Sequence, residues 1–269
     1  MLTALLRSLR TGVVTIRYPE EPAQVPERFR GAPRIRTSSA FDALAPASVC
    51  PSGAIAGGGG QPRYSIDLAR CLCCGRCAEA SAGGSIEICR DIELATRSRK
   101  SLIIEVERGL DGHAFVLPPP PPGPEVADRI RRTLGRSLHL RHLDSGSCNA
   151  CDWELTALLN PVYDVRRLGV DFVASPRHAD GVLVTGPVTR NLEVAVRRTY
   201  EAVPEPRVVI AVGACASSGG IVGRSYASSG GVAEILPVDV FIPGCPPRPE
   251  AIIYGILLAV GRVRDGSPA

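Results

Sequence analysis

Four cysteines in the second half of the chain lie in short Gly-rich or Pro-rich segments, each of which follows an apolar run. Cys148 and Cys151 stand in Ser-Gly-Ser-Cys-Asn-Ala-Cys, Cys215 in Gly-Ala-Cys-Ala-Ser-Ser-Gly-Gly, and Cys245 in Pro-Gly-Cys-Pro-Pro. An apolar run that ends in such a segment is typical of a strand followed by a turn. Four thiols brought by strand-end loops to one edge of a sheet would form a metal site, and we predict that they hold an iron–sulfur cluster.

A second set of cysteines lies in the first half of the chain. Cys71, Cys74 and Cys77 have the spacing Cys-x2-Cys-x2-Cys, and Cys50 is followed by a proline. In bacterial two-cluster ferredoxins each run is Cys-x2-Cys-x2-Cys-x3-Cys-Pro, and the fourth cysteine of one run binds the other cluster. Cys50 therefore supplies the remote fourth thiolate for this set.

The other cluster of such a ferredoxin would need four cysteines that this chain lacks. Their positions are occupied by Ala40, Ala43, Pro46 and Ser81. We therefore predict one [4Fe–4S] cluster in the first half. Four thiolates suit zinc equally well, but the Cys-Pro pair and the spacing favour iron–sulfur. Cys73 and Cys89 are left over, and we predict that they are unligated. The alternative for Cys73 is that it replaces a neighbouring ligand through a slip of the loop.

Composition limits the classes of function. Ten cysteines in 269 residues are too clustered for a disulfide scaffold, and the N-terminus lacks the features of a signal peptide. We therefore expect a chain of the reducing cytoplasm, where cysteines more often bind metal. The net charge is +4, but the arginines are scattered and not interleaved with aromatic residues, so we predict no nucleic-acid partner. No apolar run approaches the roughly 20 residues that cross a bilayer.

The order of sequence patterns predicts two domains and two connecting segments. Residues 1–30 begin with apolar residues at helical spacing and two arginines, which predicts an amphipathic arm that lies either on a membrane or membrane subunit or on its own domain. Residues 31–116 form a small α+β domain with one cluster. Residues 117–125 are a proline-rich linker, and residues 126–269 alternate strands and helices, which predicts an α/β domain with a parallel sheet.

The second domain carries the clearest pattern of strands and helices. We expect strands at 138–143, 170–174, 181–185, 207–212 and 238–242, and helices at 152–159, 191–202 and 249–263. In the first domain we expect strands at 64–67, 85–88 and 102–106, the last two forming a pair. Ligands of open parallel sheets lie beyond the carboxyl ends of the strands, at a topological switch point. Cys148, Cys215 and Cys245 each fall just past the carboxyl end of an expected strand, which places the second site.

Several motifs of the second half occur in the order of a known family. They include Leu138-His139-Leu140-Arg141-His142, Ala174-Ser175-Pro176-Arg177-His178 and Val184-Thr185-Gly186-Pro187-Val188. With the cysteine loops, they resemble the small subunit shared by complex I (the 20 kDa type) and the group 4 [NiFe] hydrogenases. The first half resembles the ferredoxin-like subunit of the same complexes, so the chain is similar to two such subunits fused.

The resemblance implies a flavodoxin-like fold for the second domain, with a proximal [4Fe–4S] cluster bound by Cys148, Cys151, Cys215 and Cys245. Complex I subunits have two adjacent cysteines in the first motif, whereas the Cys-Asn-Ala-Cys spacing here is that of the hydrogenase branch. Glu154 matches an acidic residue that hydrogenase small subunits present to the large subunit. It is either a proton-transfer group or a carboxylate that the helix N-terminus stabilises.

The resemblance also implies the function and the partners. We expect an oxidoreductase subunit that relays electrons through two [4Fe–4S] clusters to or from a [NiFe] site in a large subunit. Membrane-arm subunits, and a further ferredoxin-type or formate or carbon monoxide dehydrogenase partner, are expected in a complex at the inner face of the cell membrane. One alternative is a complex-I-like quinone oxidoreductase subunit without nickel, and another is a zinc-bound assembly factor without a redox role.

Overall fold

The computed structural model of the chain describes the following stretches, to which all structural statements refer: residues 2–36, 44–57, 63–81, 84–109, 114–118 and 137–264. The predicted linker lies mostly outside the described residues, as do two of the four positions that lack a cluster cysteine, Ala40 and Ala43.

The first half contains short antiparallel strands and short helices. Its elements are α1 Leu2–Thr11, β1 Pro33–Ile35, α2 Leu44–Ser48, β2 Ile55–Ala56, β3 Arg63–Asp67, α3 Arg76–Glu79, β4 Ile86–Ile88, β5 Ile103–Arg108 and β6 Ala114–Val116. β1 pairs with β4, and a second sheet has the order β2-β3-β5-β6. The chain thus runs β1-α2-β2 and then β3-α3-β4, so the order strand, helix, strand occurs twice, and β2 pairs antiparallel with β3. Each of these two repeats has one helix beside a cysteine segment.

The second half contains one sheet of five parallel strands. Its elements are β7 Leu138–Asp144, α4 Ala150–Ala157, β8 Val170–Phe172, β9 Gly181–Thr185, α5 Arg190–Ala202, β10 Val208–Val212, α6 Gly213–Ser218, β11 Val240–Ile242 and α7 Pro249–Ala259. The strand order is β11-β10-β9-β7-β8, and every neighbouring pair is parallel. This is the flavodoxin-like order, with its switch point between β7 and β9. The predicted α/β fold with a flavodoxin-like parallel sheet is confirmed.

Buried aliphatic residues explain why these segments form a covered parallel sheet. All five residues of both β9 (Gly-Val-Leu-Val-Thr) and β10 (Val-Val-Ile-Ala-Val) are buried, as expected for strands with helices on both faces. Helix α7 is buried along its whole length and begins with Pro249 at a position where no backbone N–H is needed. The sheet is therefore a rigid base from which the strand-end loops emerge.

The two halves share hydrophobic packing. Ile66, Leu68 and Cys77 of the first half belong to one continuous core with Val184 and Ala211 of the sheet. The segment after β4 crosses to the other half, where Thr96 forms an antiparallel bridge with Phe241 on the edge strand β11. The first half therefore also protects one edge of the sheet from pairing with another chain.

One predicted strand pairing is wrong. The segments 85–88 and 102–106 do form strands, but they do not pair with each other. β4 pairs with β1, and β5 lies between β3 and β6. The residues between them cross to the second half, so a hairpin cannot form. The prediction also missed β1, and it treated the glycine-rich segment around Cys215 as a turn, whereas residues 213–218 form helix α6.

Candidate metal centres

The first cysteine site lies between two tight segments of the first half. Cys50 follows α2, and the turn after it brings the N–H of Ala54 to 3.2 Å from the Cys50 sulfur. Gly53 allows this turn, because its φ of +60° is accessible to glycine at little cost. The other three cysteines follow β3, and they line the same cavity as Cys50: Cys71, Cys74 and Cys77. The structure thus brings together the four residues that the ferredoxin spacing predicted.

The surroundings of the first site are apolar and contain cationic groups. Burial raises the pKa of Cys77 to about 11, and the nearby thiols add to this shift. Arg30 donates a hydrogen bond of 2.7 Å to the backbone oxygen of Cys74, and Arg76 lines the cavity. Among the described residues that line this cavity, none is a carboxylate. Thiols that resist ionisation in a dry cavity are stabilised as thiolates by a bound cationic metal centre and by nearby guanidinium groups.

Ser81 occupies the position where a two-cluster ferredoxin has its fourth cysteine. Its hydroxyl accepts the N–H of Ile86 at 2.9 Å and lies 3.0 Å from the hydroxyl of Ser85. The side chain therefore links the end of α3 to β4 through the backbone. At this position the side chain thus makes hydrogen bonds within the protein.

The second cysteine site begins in the loop between β7 and α4. The carboxylate of Asp144 accepts the N–H groups of Gly146 and Ser147 at 2.9 and 2.7 Å, which forms a tight turn before Cys148. Cys151 lies in the first turn of α4. The two cysteines are thereby fixed at the carboxyl end of β7, next to the switch point of the sheet.

Two further strand ends supply the other cysteines of this site. Cys215 lies on α6 after β10, and Cys245 follows β11. The N–H of Ala214 donates to the oxygen of Gly244 at 2.8 Å, which ties the two segments together. Gly213 leaves room for the site, because a Cβ atom there would lie 2.6 Å from the Cys151 sulfur.

The four thiols of the second site interact electrostatically. Burial raises the pKa of Cys151, and the other three thiols add to this effect in the order Cys215, Cys245 and Cys148. Cys148 and Cys245 are exposed, whereas Cys151 and Cys215 are partly buried. One side of the second site is therefore open at the surface of this chain.

A polar network behind the second site was missed by the sequence reasoning. Asp152 accepts hydrogen bonds from the hydroxyls of Ser147 and, at 2.8 Å, of Thr185. Its carboxylate also lies 2.8 Å from Nε2 of His142, which is 3.1 Å from the Thr185 hydroxyl. Burial lowers the pKa of His142, although Asp152 opposes this effect. The only signal in the sequence was an aspartate directly after Cys151, which by itself does not reveal partners on two other strands. The network holds α4, and with it Cys151, against the sheet.

The two cysteine sites lie side by side. Ser218, on the helix that carries Cys215, donates a hydrogen bond of 2.8 Å to the oxygen of Ala69, two residues before Cys71. Burial raises the pKa of Cys245, and among the thiols that add to this effect is Cys71 of the first site. The helix of one site thus contacts the loop of the other directly.

Glu154 and the two remaining thiols lie outside both quartets. Glu154 is half-buried on α4, and burial raises its pKa, which Arg248 opposes. Cys89 lies beside β1, where its backbone bonds to Ala32. Cys73 lines the first site next to Cys71.

The donor sets fit iron–sulfur clusters. Each quartet consists of thiols alone, which is the usual ligand set of a [4Fe–4S] cluster. Across the stretches given above, no group of three or more His, Cys, Asp or Glu side chains is arranged to hold a single metal ion. A cubane cluster places a separate iron behind each thiolate, so its ligands surround a larger body than one ion.

Comparison with known proteins identifies the family. Residues 148–259 match the family described as NADH ubiquinone oxidoreductase, 20 Kd subunit. The chain is 51% identical over 135 residues to the probable membrane-bound hydrogenase subunit mbhJ of Pyrococcus furiosus. The aligned residues make up 50% of this chain and 81% of that protein. The chain belongs to this family. Residues 1–147 lie outside the family match.

Two further relatives represent both branches of the family. Formate hydrogenlyase subunit 7 of Escherichia coli is 45% identical over 132 residues, 49% of this chain and 52% of that protein. An NADH-quinone oxidoreductase subunit of Citrifermentans bemidjiense is 48% identical over 107 residues, 40% of this chain and 62% of that protein. The chain is thus a subunit of an oxidoreductase, and its family supports an electron-transfer role in a complex of the hydrogenase type. In the described stretches, no helix is both long and apolar enough to cross a membrane.

Proposed function

We propose that this chain is the electron-transfer subunit of a membrane-associated [NiFe] hydrogenase of the formate hydrogenlyase or energy-converting type. One [4Fe–4S] cluster is held by Cys50, Cys71, Cys74 and Cys77, and the proximal one by Cys148, Cys151, Cys215 and Cys245. Electrons pass between these clusters to or from a [NiFe] site in a partner large subunit. The observation that carries the proposal is the hydrogen bond from Ser218 to Ala69, which joins the helix that carries Cys215 to the segment before Cys71.

The residues of the chain have defined tasks in this function. When bound, each cluster supplies one-electron oxidation and reduction. The thiolates hold it, and the apolar lining of the first site keeps water away. The N–H groups of Ala54 and Cys73 point at the sulfurs of Cys50 and Cys71 at 3.2 and 3.3 Å, where they stabilise negative charge. The shared core of the two halves keeps the two sites at a fixed separation.

The open side of the second site supports a partner subunit at that surface. Two of its cysteines are exposed. Exposed large apolar side chains also occur on the segments that carry the site: Trp153 on α4 is 74% exposed, and Ile221 and Tyr226, in the loop after α6, are 61% and 97% exposed. Exposed apolar groups of this size are typical of surfaces that another protein covers. In the proposed complex, the large subunit covers them and brings its [NiFe] site near the proximal cluster.

Glu154 supports a proton path at the same surface. It stands one helical turn after Cys151, and burial raises its pKa, so it is more easily protonated than an exposed glutamate. The buried ion pair of Arg248 and Glu250 lies near it. We assign Glu154 to proton transfer between the partner's metal site and solvent.

The remaining parts of the proposal concern the position of the chain in the complex. Residues 1–30 serve as an arm toward membrane-arm subunits, at the inner face of the cell membrane. Residues 31–116 are the ferredoxin-like domain, residues 117–125 the linker and residues 126–269 the proximal-cluster domain. A further ferredoxin-type subunit, or a formate or carbon monoxide dehydrogenase, exchanges electrons with the first cluster.

A metal analysis tests the proposal. The complex is purified without oxygen from its own host by a tag on this chain, and its iron, nickel and zinc are quantified. Nickel together with iron, and reduction of a dye by hydrogen, are the expected results. A Cys74→Ala and a Cys245→Ala variant should each lose about four irons per chain, whereas Cys89→Ala should lose none.

The same analysis separates the alternatives. The 48% identity to the NADH-quinone oxidoreductase relative favours a quinone-linked complex as the second candidate. Iron without nickel, with no hydrogen-dependent activity, would contradict the hydrogenase and support that candidate. Zinc without iron would contradict both and support a structural or assembly role.

A further inference from the structure

An arginine directly before Cys71 carries a buried nitrogen without a hydrogen-bond partner. The Nε atom of Arg70 is shielded from solvent, and no described residue accepts a hydrogen bond from it. Folded proteins leave few buried N–H groups unsatisfied, and each such group calls for an explanation, of which a bound ion is one. The side chain of Arg70 as a whole is half-buried, so water hydrates its charge only in part.

Two other arginines with an unsatisfied buried nitrogen differ from Arg70 in having a carboxylate partner. Arg99 pairs with Asp67 at 2.5 Å, and Arg207 pairs with Glu205 at 3.1 Å. Within the part of the chain that the structure describes, the guanidinium group of Arg70 forms neither an ion pair nor a hydrogen bond. The described residues therefore leave its positive charge without a counter-charge.

The guanidinium group of Arg70 lies next to both cysteine segments of the first site. Arg70 directly precedes Cys71, and a Cβ atom on Gly53 would lie 3.9 Å from its Nη2 atom. Gly53 belongs to the turn after Cys50, in which its N–H donates to the Cys50 oxygen at 3.2 Å. One unpaired cation thus stands beside the two segments that supply the thiols of this site.

We propose that the charge of Arg70 raises the reduction potential of the first cluster. This inference rests on the proposed iron–sulfur site. A [4Fe–4S] cluster with four thiolate ligands is negatively charged, and reduction adds one more electron to it. A nearby cation therefore stabilises the reduced form more than the oxidised form. The cluster in turn supplies the negative charge that the guanidinium group otherwise lacks.

Arg70 should act more strongly than the other arginines near the first site. Arg30 bonds to the backbone oxygen of Cys74, and Arg76 lines the cavity, but both residues are exposed. Solvent and salt screen an exposed charge more than a half-buried one. In the proposed relay, the higher potential makes the first cluster a better acceptor of electrons from the external partner.

Three substitutions at Arg70 separate its charge from its shape. Arg70→Met and Arg70→Gln remove the charge, with an apolar and a polar side chain respectively, whereas Arg70→Lys keeps it. Arg63→Gln is the matched control, because Arg63 is 73% exposed and pairs with Glu107. The readout is the midpoint potential of each cluster in the anaerobic complex, from a redox titration followed by electron paramagnetic resonance. The signal of the first cluster is the one that Cys74→Ala removes.

The Met and Gln variants should keep both clusters and have a lower midpoint for the first one. We expect about a threefold to tenfold lower ratio of reduced to oxidised first cluster at a fixed potential. At about 59 mV per tenfold for one electron, the midpoint is then about 30 to 60 mV lower. The second cluster should shift by less. The Lys variant and the Arg63→Gln control should stay close to the wild type.

Three results would overturn the inference while leaving the proposed function intact. The first is an unchanged midpoint of the first cluster in both neutral variants. The second is an equal or larger shift of the second cluster. The third is loss of the first cluster in both neutral variants, which would show that Arg70 holds the cysteine segments in place. A wild-type complex without iron would contradict the proposed function and this inference together.

Discussion

At the scale of single residues, the second site depends on how closely the backbone can approach the thiols. Gly213 combines two requirements. Its φ is +85°, and a Cβ atom would lie 2.6 Å from the Cys151 sulfur. A glycine before Cys215 is therefore needed both for the turn from β10 into α6 and for the space that the thiol occupies.

We predict that Gly213→Ala displaces Cys151 and reduces occupancy of the second site by more than half, while the first site keeps its iron. Gly223→Ala is the matched control. Its φ is +63°, but a Cβ atom there would meet nothing within 4 Å. The iron content per chain is measured for both variants. Equal iron in the two variants would mean that crowding at Cys151 is unimportant.

Asp152 is the residue on which the polar network behind the second site converges. Asp152→Ala would leave the hydroxyl of Thr185 and the ring of His142 without this acceptor in a half-buried place. We predict a loss of roughly 2 kcal/mol in the free energy of unfolding, since unpaired buried groups cost about 1–3 kcal/mol. Asp171→Ala removes a more exposed carboxylate, which pairs with Arg166, and should cost less than about 1 kcal/mol. Denaturant unfolding in the absence of oxygen measures the free energy of unfolding of both variants. An equal loss of stability in the two would contradict the role of the network.

At the scale of elements, the sequence predicted the parts whose signals are local. The strands of the parallel sheet are aliphatic runs that end in glycine-rich or proline-rich segments, so their positions and the side on which the cysteines emerge could be inferred. That Cys50, Cys71, Cys74 and Cys77 line one cavity could be inferred from spacing, because Cys50 and the run at Cys71 match a known crossover of ligands.

The parts that the sequence could not predict depend on contacts between distant segments. The pairing of β4 with β1 joins residues about fifty positions apart, and nothing in either segment indicates its partner. The bridge between Thr96 and Phe241 is likewise invisible in a segment without periodic apolar residues. The hydrogen bond from Ser218 to Ala69, which joins the two sites, involves a backbone oxygen and leaves no trace in the sequence.

The part of the amphipathic arm that follows helix α1 packs against the second half. Tyr18 is 2% exposed and packs in the core of the second half, and its hydroxyl donates to Glu93 at 2.9 Å. We predict that Tyr18→Phe lowers the free energy of unfolding by about 1 kcal/mol, because Glu93 loses its donor. Tyr226→Phe, at a side chain that is 97% exposed, should have no effect. Thermal unfolding of the two variants and the wild type tests this prediction. A Tyr18→Phe variant as stable as the wild type would show that the hydrogen bond to Glu93 does not stabilise the fold.

At the scale of the whole molecule, the two halves form one packed body. The core of the first sheet continues into the flavodoxin-like sheet, and the segment around Thr96 lies on its edge. Packing therefore connects the two halves in addition to the covalent chain between them. Their relative position is set by packing, which is what a relay with a fixed distance between its centres requires.

Cleavage of the linker tests this account of the whole molecule. A protease site placed between residues 119 and 124 would allow the chain to be cut after folding. We predict that the two fragments remain associated and co-elute in size exclusion, because apolar burial and not the covalent link holds them together. Fragments that separate after cleavage would show that the interface is too weak to fix the sites.

The central claim is that two separate thiol quartets hold two adjacent [4Fe–4S] clusters. Electron paramagnetic resonance of the reduced anaerobic complex tests it most directly, with wild type compared with Cys74→Ala, Cys245→Ala and Cys89→Ala. Other subunits contribute equally to all four samples. We predict that the wild type has two signals from this chain, each broadened by the magnetic interaction between the clusters. The Cys74→Ala and Cys245→Ala variants should each lose one signal, and the remaining signal should become narrower. The spectrum of Cys89→Ala should match that of the wild type. Loss of the same signal in both quartet variants, or retention of both signals in either one, would contradict the claim.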